Sequence, residues 1–354
     1  MSRVLRGAIV GFGSVAERGH LPAWRAREDM QIVAVVDARE DRRARAHALL
    51  SGARLYAQLE DLLRMEQLDF VDIAIPPALH AAAIVSAAKA GCNVLCEKPL
   101  VLSRAEREAV QGAVQAAGVI LFTVHNWQHS DAFRRVRALL ASGVIGSLQA
   151  LRIEVERNGC SSAQDGWRMK RALAGGGILV DHGWHAFYLI PALVGGRPTS
   201  VEARIENRRY ARADVEDTAH CRIRFPSLVA ELELTWAGRQ RNTRWQLVGR
   251  DGAIEVANDR LRLERRGEPT QDLHCVESLS GSSHHPEWFG AVIEGFCQEV
   301  AQPARRGTNL REAALCLDLL LAAYASSAAD GRAEPVAATP SRERAIDAAD
   351  TPLS

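Results

Sequence analysis

The sequence predicts an α/β domain with a doubly wound parallel sheet, joined to an α+β domain whose sheet is mainly antiparallel. Three observations predict it. Apolar runs alternate with helical patterns over the first 125 residues, the order expected of a parallel sheet with helices on both faces. The first of these runs ends in Gly11-x-Gly13-x-x-Ala16. Beyond about residue 147 the pattern turns to period-two alternation, as in Glu231-Leu-Glu-Leu-Thr-Trp236, which suits a strand with one wet face.

Strands are expected first at Leu5–Val10, Ile32–Val36, Phe70–Ile75, Asn93–Cys96 and Val119–Val124. Helical patterns lie between them at Leu59–Met65, His80–Ala90 and Arg104–Ala117. A helix near Ala132–Ala141 leads into strands at Leu148–Glu156, Val201–Glu206, Ala219–Phe225, Val229–Trp236 and Trp245–Val248. Gly249-Arg-Asp251-Gly252 reads as a hairpin turn. Two late helices follow, about Pro286–Gln302 and Leu310–Ala329. The chain divides into residues 1–125, residues 126–331, and a tail, 332–354, rich in Ala, Pro and charge and expected to be mobile.

A strand that runs into a glycine turn and opens a helix is a ready-made pyrophosphate site. Gly11 permits the tight turn, Gly13 lets the backbone approach the phosphates, and Ala16 allows close helix–strand packing. The helix N-terminus offers free N–H groups to the anion. The candidate loop is therefore Gly11, Phe12, Gly13, Ser14, Val15 and Ala16. The second strand ends on Asp37, 21 residues after Ala16, close to the ~20-residue spacing of a carboxylate that holds a ribose 2′-hydroxyl. Asp37 favours NAD by repelling a 2′-phosphate. Arg39, Arg42 and Arg43 stand close enough to leave NADP open. Ligands in such sheets lie beyond the carboxyl ends of the strands. That rule draws Pro76, His80, Glu97, His125 and Asn126 into the candidate site.

Composition narrows the class. The chain has 354 residues, 47% hydrophobic and 25% charged, with a net charge of +1, so neither nucleic acid nor an anionic membrane is implied as a partner. No leader is expected, because Met1-Ser2-Arg3 leads directly into the first strand. The best apolar run, Leu315–Ala325, is too short to span a bilayer and carries Asp318. Seven scattered cysteines without a CxxC pair suit reduced thiols and a cytoplasmic setting. No recognised metal spacing is present, so no metal is expected.

Two clusters carry the chemistry. In Glu97-Lys98-Pro99 a lysine stands at a strand's carboxyl end, where it can stabilise an alkoxide. The Lys98–Pro99 bond is a candidate cis peptide. In Gly175-Gly-Gly177-Ile-Leu-Val-Asp181-His182-Gly183-Trp184-His185 the spacing of Asp181 and His185 places them on one helical face, within reach of each other. A histidine near its ordinary pKa serves well as a general base. His182 is expected to face away from Asp181.

Together these motifs, with Val71-Asp-Ile-Ala-Ile-Pro-Pro-Ala-Leu-His80, Val215-Glu216-Asp217-Thr218 and Gly249-x-x-Gly252, resemble the Gfo/Idh/MocA family over residues 4–331. That is the glucose–fructose oxidoreductase and inositol dehydrogenase family. The resemblance implies a Rossmann domain, an open-faced sheet domain and NAD(P)-dependent oxidation of a secondary alcohol of a sugar, cyclitol or related polyol. It implies Lys98, Asp181 and His185 as the catalytic set, and a homodimer or homotetramer formed through the sheet face. Two alternatives stay open: a tight-NAD redox-cycling epimerase, lyase or glycosidase, and a non-enzymatic sugar sensor. The chain departs from the family at Ile75-Pro76-Pro77 and at His125-Asn126-Trp127-Gln128-His129, where a usual arginine is missing. His125, Asn126, Trp127, Trp167, Arg168 and Trp184 are the candidate substrate contacts.

Overall fold

The computed structural model describes residues 3–160, 166–281 and 284–337. Six parallel strands form the first sheet: β1 (Leu5–Val10), β2 (Met30–Val36), β3 (Arg54–Tyr56), β4 (Phe70–Ile73), β5 (Asn93–Cys96) and β6 (Leu121–Thr123). Their order is β3-β2-β1-β4-β5-β6. It reverses between β1 and β4, which puts a ligand crevice beyond the ends of those strands. The flanking helices are α1 (Leu21–Arg25), α2 (Glu40–Leu49), α3 (Leu59–Met65), α4 (His80–Lys89) and α5 (Arg104–Ala117).

β1 is apolar on successive residues because both of its faces are covered. Ala8 and Val10 join one core with Ile84 of α4 and Val110 of α5. Ile9 faces the opposite way, into a core with Trp24 of α1. That second core is completed from far along the chain by Phe289, Val292, Ile293 and Phe296 of α9 (Pro286–Ala301). The sequence division at residue 125 therefore does not follow the packing at α9, which lies against the first sheet.

The second half holds α6 (Asp131–Ala141), α7 (Arg171–Ala174), α8 (Trp184–Val194) and α10 (Thr308–Ala328). Its strands are β7 (Leu148–Asn158), β8 (Ser200–Glu206), β9 (Thr218–Arg224), β10 (Val229–Thr235), β11 (Ala237–Gly249), β12 (Gly252–Ala257), β13 (Arg260–Arg265), β14 (Gln271–His274) and β15 (Glu334–Pro335). They form one nine-stranded sheet, β14-β13-β12-β11-β7-β10-β9-β8-β15. The sheet is mixed, because β7 and β10 pair in parallel at its centre, with Leu232 opposite Ile153. Ala230, Leu232 and Leu234 of β10 point to the covered face, while Glu231 and Glu233 lie on the open one.

Two details correct the sequence reading. Glu334 pairs with Val201 at the sheet edge, so the start of the expected mobile tail is strand. The rest of that tail, 338–354, lies outside the described residues. Asp318, the charge inside the longest apolar run, is paired in the interior with Arg107 of α5 at 2.8 Å. Among the described residues no helix is long and apolar enough to cross a membrane.

Candidate active site

The glycine turn lies at the end of β1, facing the crevice. Gly11 has φ +91°, and a Cβ there would sit 2.6 Å from the Ala74 carbonyl oxygen. A Cβ on Gly13 would meet nothing within 4 Å. The first position is closed by the fold and the second is open, as a phosphate cradle requires. Ala16 is fully buried, and the next turn, Ala16–His20, is a π-helix. Ser14 Oγ lies 3.0 Å from His284 Nε2, so the segment before α9 reaches the loop.

Asp37 stands at the end of β2 with its carboxylate fixed by two backbone donors, Phe12 N–H at 2.8 Å and Arg39 N–H at 2.9 Å. The Phe12 N–H is thus committed to Asp37 and its ring is buried. Phe12 therefore serves the candidate cofactor site by fixing Asp37. The nearby guanidinium groups are engaged too. Arg39 pairs with Asp41, and Arg43 donates to the carbonyl oxygens of Asp37 and Ala38. His80, expected at the cofactor, is also withdrawn. It is fully buried, and its ring nitrogens lie 2.8 and 2.9 Å from the carbonyl oxygens of Pro99 and Ile75. It braces the turn that carries Lys98, whose bond to Pro99 is cis.

Lys98 extends from the end of β5 to the segment before α8. Its Nζ donates to the Asp181 carbonyl oxygen at 2.6 Å and to Asp181 Oδ1 at 3.0 Å. The two side chains keep 14% and 23% of their surface exposed, enough for a ligand to reach. Burial opposes the charge on Asp181, but Lys98, His182 and Arg168 outweigh it and hold the carboxyl well below its usual range. His182 Nδ1 lies 3.3 Å from Asp181 Oδ2, on the same side rather than facing away.

Asp181 and His185 share no hydrogen bond, contrary to the i, i+4 expectation. Leu179–Gly183 is a π-helical turn, whose i to i+5 winding removes the helical register on which that expectation rests. The partner of His185 is Tyr188, with Oη 2.7 Å from Nδ1. Tyr188 Oη also accepts the Trp127 N–H at 3.1 Å. In the tautomer that carries its hydrogen on Nδ1, the ring donates to Tyr188 and Nε2 is left to accept a proton. Tyr188 was missed in the sequence because it sits inside the apolar helix Trp184–Val194. Its i, i+3 spacing from His185 was the available signal. Burial, then Lys98 and His182, push His185 well below its ordinary pKa. The ring is therefore neutral at physiological pH.

The expected substrate contacts divide into two groups. Trp184 and His125 are fully buried, with Trp184 Nε1–H donating to His125 Nε2 at 3.3 Å. Neither forms a wall. His125 stacks on Tyr188 at 4.3 Å and so backs the residue that orients His185. Trp127 is buried as well and stacks on His185 at 5.0 Å and 17°. Nearer the opening, Arg168 lies over Trp167 at 4.3 Å, close enough for its charge to act on Asp181. Asn126, just beyond β6, has a buried side-chain oxygen with no hydrogen-bond partner. Sequence reasoning passed over Arg157 of β7, which is buried and within electrostatic reach of Asp181 and His182. It cited Glu216 only within a motif and did not read its role: the Glu216 carboxylate accepts the N–H groups of Gly177 and Leu179 and so anchors the Asp181 turn.

These residues fit a dinucleotide: the space over Gly13, the fixed Asp37 carboxylate and the orphan Asn126 oxygen lie just beyond the carboxyl ends of β1, β2 and β6 of one parallel sheet. Comparison with known proteins agrees. The family model described as "Oxidoreductase family, NAD-binding Rossmann fold" matches residues 5–125. "GFO/IDH/MocA C-terminal domain" matches residues 133–255. D-apiose dehydrogenase of Paraburkholderia graminis is 37% identical over 142 residues, 40% of this chain and 38% of that enzyme's length. Myo-inositol 2-dehydrogenase of Thermotoga maritima is 27% identical over 262 residues, 73% of this chain and 74% of its own. GenD2 from gentamicin A biosynthesis, solved in complex with NAD, superposes with a TM-score of 0.82 at 25% identity, over 96% of this chain and 98% of its own. With both halves matched and the dinucleotide loop in place, the chain belongs to the Gfo/Idh/MocA family of NAD-binding sugar and polyol oxidoreductases.

Proposed function

We propose that the chain interconverts a secondary alcohol and a ketone on a sugar, cyclitol or related polyol, with Lys98, Asp181 and His185 as its catalytic set. The observation that carries this reading is the Lys98–Asp181 pair at the mouth of the crevice, near a histidine kept neutral by burial. NAD bound over the glycine turn supplies the hydride acceptor. His185 Nε2 takes the hydroxyl proton, and Tyr188 holds the ring while it does so. Lys98 stabilises the alkoxide charge. Asp181 holds the ammonium group at the reacting oxygen.

The named activities of the D-apiose and myo-inositol relatives support the polyol class. The charge balance favours members of that class that carry an anionic group. Arg157 hydrogen-bonds only neutral acceptors, the carbonyl oxygens of Glu156 and Asn242 and Thr243 Oγ1, and its Nε has no partner. A buried guanidinium with no carboxylate in hydrogen-bond contact is costly, so a substrate carboxylate or phosphate is its natural complement. NAD is preferred to NADP because Asp37, fixed at the end of β2 beside the glycine turn, would repel a 2′-phosphate, and Arg39 and Arg43 are bound elsewhere. The polar face of the nine-stranded sheet is the proposed contact between copies of the chain. The seven free thiols suit a reducing cytoplasm.

The test is a hydride-transfer screen of NAD and NADP against neutral sugars, inositols, sugar acids and sugar phosphates. Lys98→Ala and His185→Ala are each expected to lower turnover of the best substrate by at least about 10²-fold, the scale of lost acid–base catalysis. Wild-type turnover in both variants overturns the assignment.

A further inference from the structure

A second charged cluster lies behind the catalytic lysine, and the mechanism above does not use it. His20 closes the π-helical turn that follows the glycine loop and is 1% exposed. Its Nδ1 lies 3.0 Å from Asp72 Oδ2, and its Nε2 lies 3.1 Å from Glu97 Oε1. Both ring nitrogens therefore face carboxylates, and each must carry a hydrogen to donate. The ring is held as an imidazolium. Its plane is fixed by Phe289 of α9, stacked at 3.8 Å and 15°. Trp24 Nε1–H donates to Asp72 Oδ2 at 2.7 Å and fixes that carboxylate in turn.

The cluster is continuous with the active site. Glu97 Oε2 accepts the Lys98 backbone N–H at 3.0 Å, and Lys98 Nζ reaches Asp181. Charges thus alternate from the interior to the crevice: Asp72 negative, His20 positive, Glu97 negative, Lys98 positive, Asp181 negative. A buried carboxylate on a sheet strand is a cost that apolar packing would avoid. Here the cost secures an arrangement. We propose that His20 is a positioning residue: its imidazolium holds the Glu97 carboxylate away from the Lys98 ammonium and ties the dinucleotide-binding turn to the lysine that stabilises the alkoxide. The proposal rests on Lys98 being catalytic, as argued above. Without the charge on His20, the nearest cation left for Glu97 is Lys98 itself. Drawing Nζ back from Asp181 removes it from the reacting oxygen.

Two measurements test this. The first uses the wild-type protein, so folding of a variant is not at issue. With ¹⁵N-labelled histidine, both His20 ring nitrogens are expected to give protonated shifts at pH 7.5. A neutral tautomer there overturns the proposal. The second compares His20→Gln with the double variant His20→Gln/Glu97→Gln on the best substrate of the screen. His20→Gln is expected to lower kcat by about 10²-fold, the loss that follows a misplacement of about 1 Å, with the substrate KM changed less than about threefold. The double variant removes the carboxylate that competes for Lys98, and it is expected to regain at least about tenfold of that loss. If the double variant is no better than the single one, the cluster is structural only and the proposal fails. If Lys98→Ala is inactive while His20→Gln turns over like wild type, this proposal fails and the catalytic assignment stands. If Lys98→Ala retains full turnover, both fail.

Discussion

Substituting alanine at each of two glycines separates the fold from the cofactor site. At Gly11 the backbone is left-handed, φ +91°, and the new Cβ would lie 2.6 Å from the Ala74 carbonyl oxygen and 2.6 Å from Ile75 Cγ2. The Ala74 backbone, tied to β1 by its N–H bond to the Val10 carbonyl oxygen at 2.8 Å, cannot swing aside. The left-handed conformation alone costs about 1–2 kcal/mol for a residue with a Cβ, and overpacking adds about 1–3 kcal/mol. A loss of about 3 kcal/mol lowers the unfolding temperature by roughly 4 °C in a chain of this size. At Gly13 nothing lies within 4 Å of the added methyl, so stability is expected to change by less than about 0.5 kcal/mol. That methyl instead fills the space through which a pyrophosphate approaches the loop, and the Kd for NAD is expected to rise at least tenfold, about 1.4 kcal/mol. Calorimetric unfolding without nucleotide reads the first quantity. Titration calorimetry with NAD reads the second. The reasoning is refuted if Gly13→Ala binds NAD like wild type, or if it loses as much stability as Gly11→Ala.

Three further outcomes follow from the charges. Burial, Lys98 and His182 hold His185 well below its usual pKa, so kcat/KM for alcohol oxidation is expected to stay level between pH 8 and 6. A limb near pH 6.5 assigns the base to another group. His20 behaves in the opposite sense. Burial lowers it, but Asp72 and Glu97 outweigh burial and raise it to about 9. Its stabilisation is fully present below about pH 6.5 and is lost as pH rises through about 9. The amount is about 3 kcal/mol at 1.36 kcal/mol per pKa unit. Urea unfolding at pH 7 and pH 10 is expected to show a larger drop for wild type than for His20→Gln, and equal drops remove His20 from the account. Arg157→Met is expected to lower kcat/KM for acidic substrates at least tenfold while changing neutral ones less than about threefold. Equal losses on both classes count against an anion at that position.

What the sequence made legible was whatever depends on near neighbours. The strand Leu5–Val10 and the helices Leu59–Met65 and Arg104–Ala117 match their expected bounds, because apolar periodicity and the Ser103–Glu106 capping box are local signals. The start of β11 was missed because Gly238–Arg244 is polar and held by backbone pairing to β7 across an irregular register. Lys98 and Asp181 were legible as residues, and they meet at 3.0 Å. The wiring around them was not. The pairing of Asp181 with His185 assumed 3.6 residues per turn, and no local pattern announces the π-helical turn at Leu179–Gly183. That turn is held by Glu216, whose carboxylate reaches Gly177 from 39 positions away. Trp184 and His125 looked like walls because a ring at a strand end or helix start serves equally as wall or core. Only the packing of α8 against its neighbours decides which. His20 is the clearest case. Its two carboxylates arrive from 52 and 77 positions downstream, so nothing near residue 20 distinguishes it from a solvated histidine. A residue whose charge state is set by distant partners can be read only once the fold has brought those partners to it. In this protein the partners on one side of His20 belong to the core, and on the other they lead to Lys98.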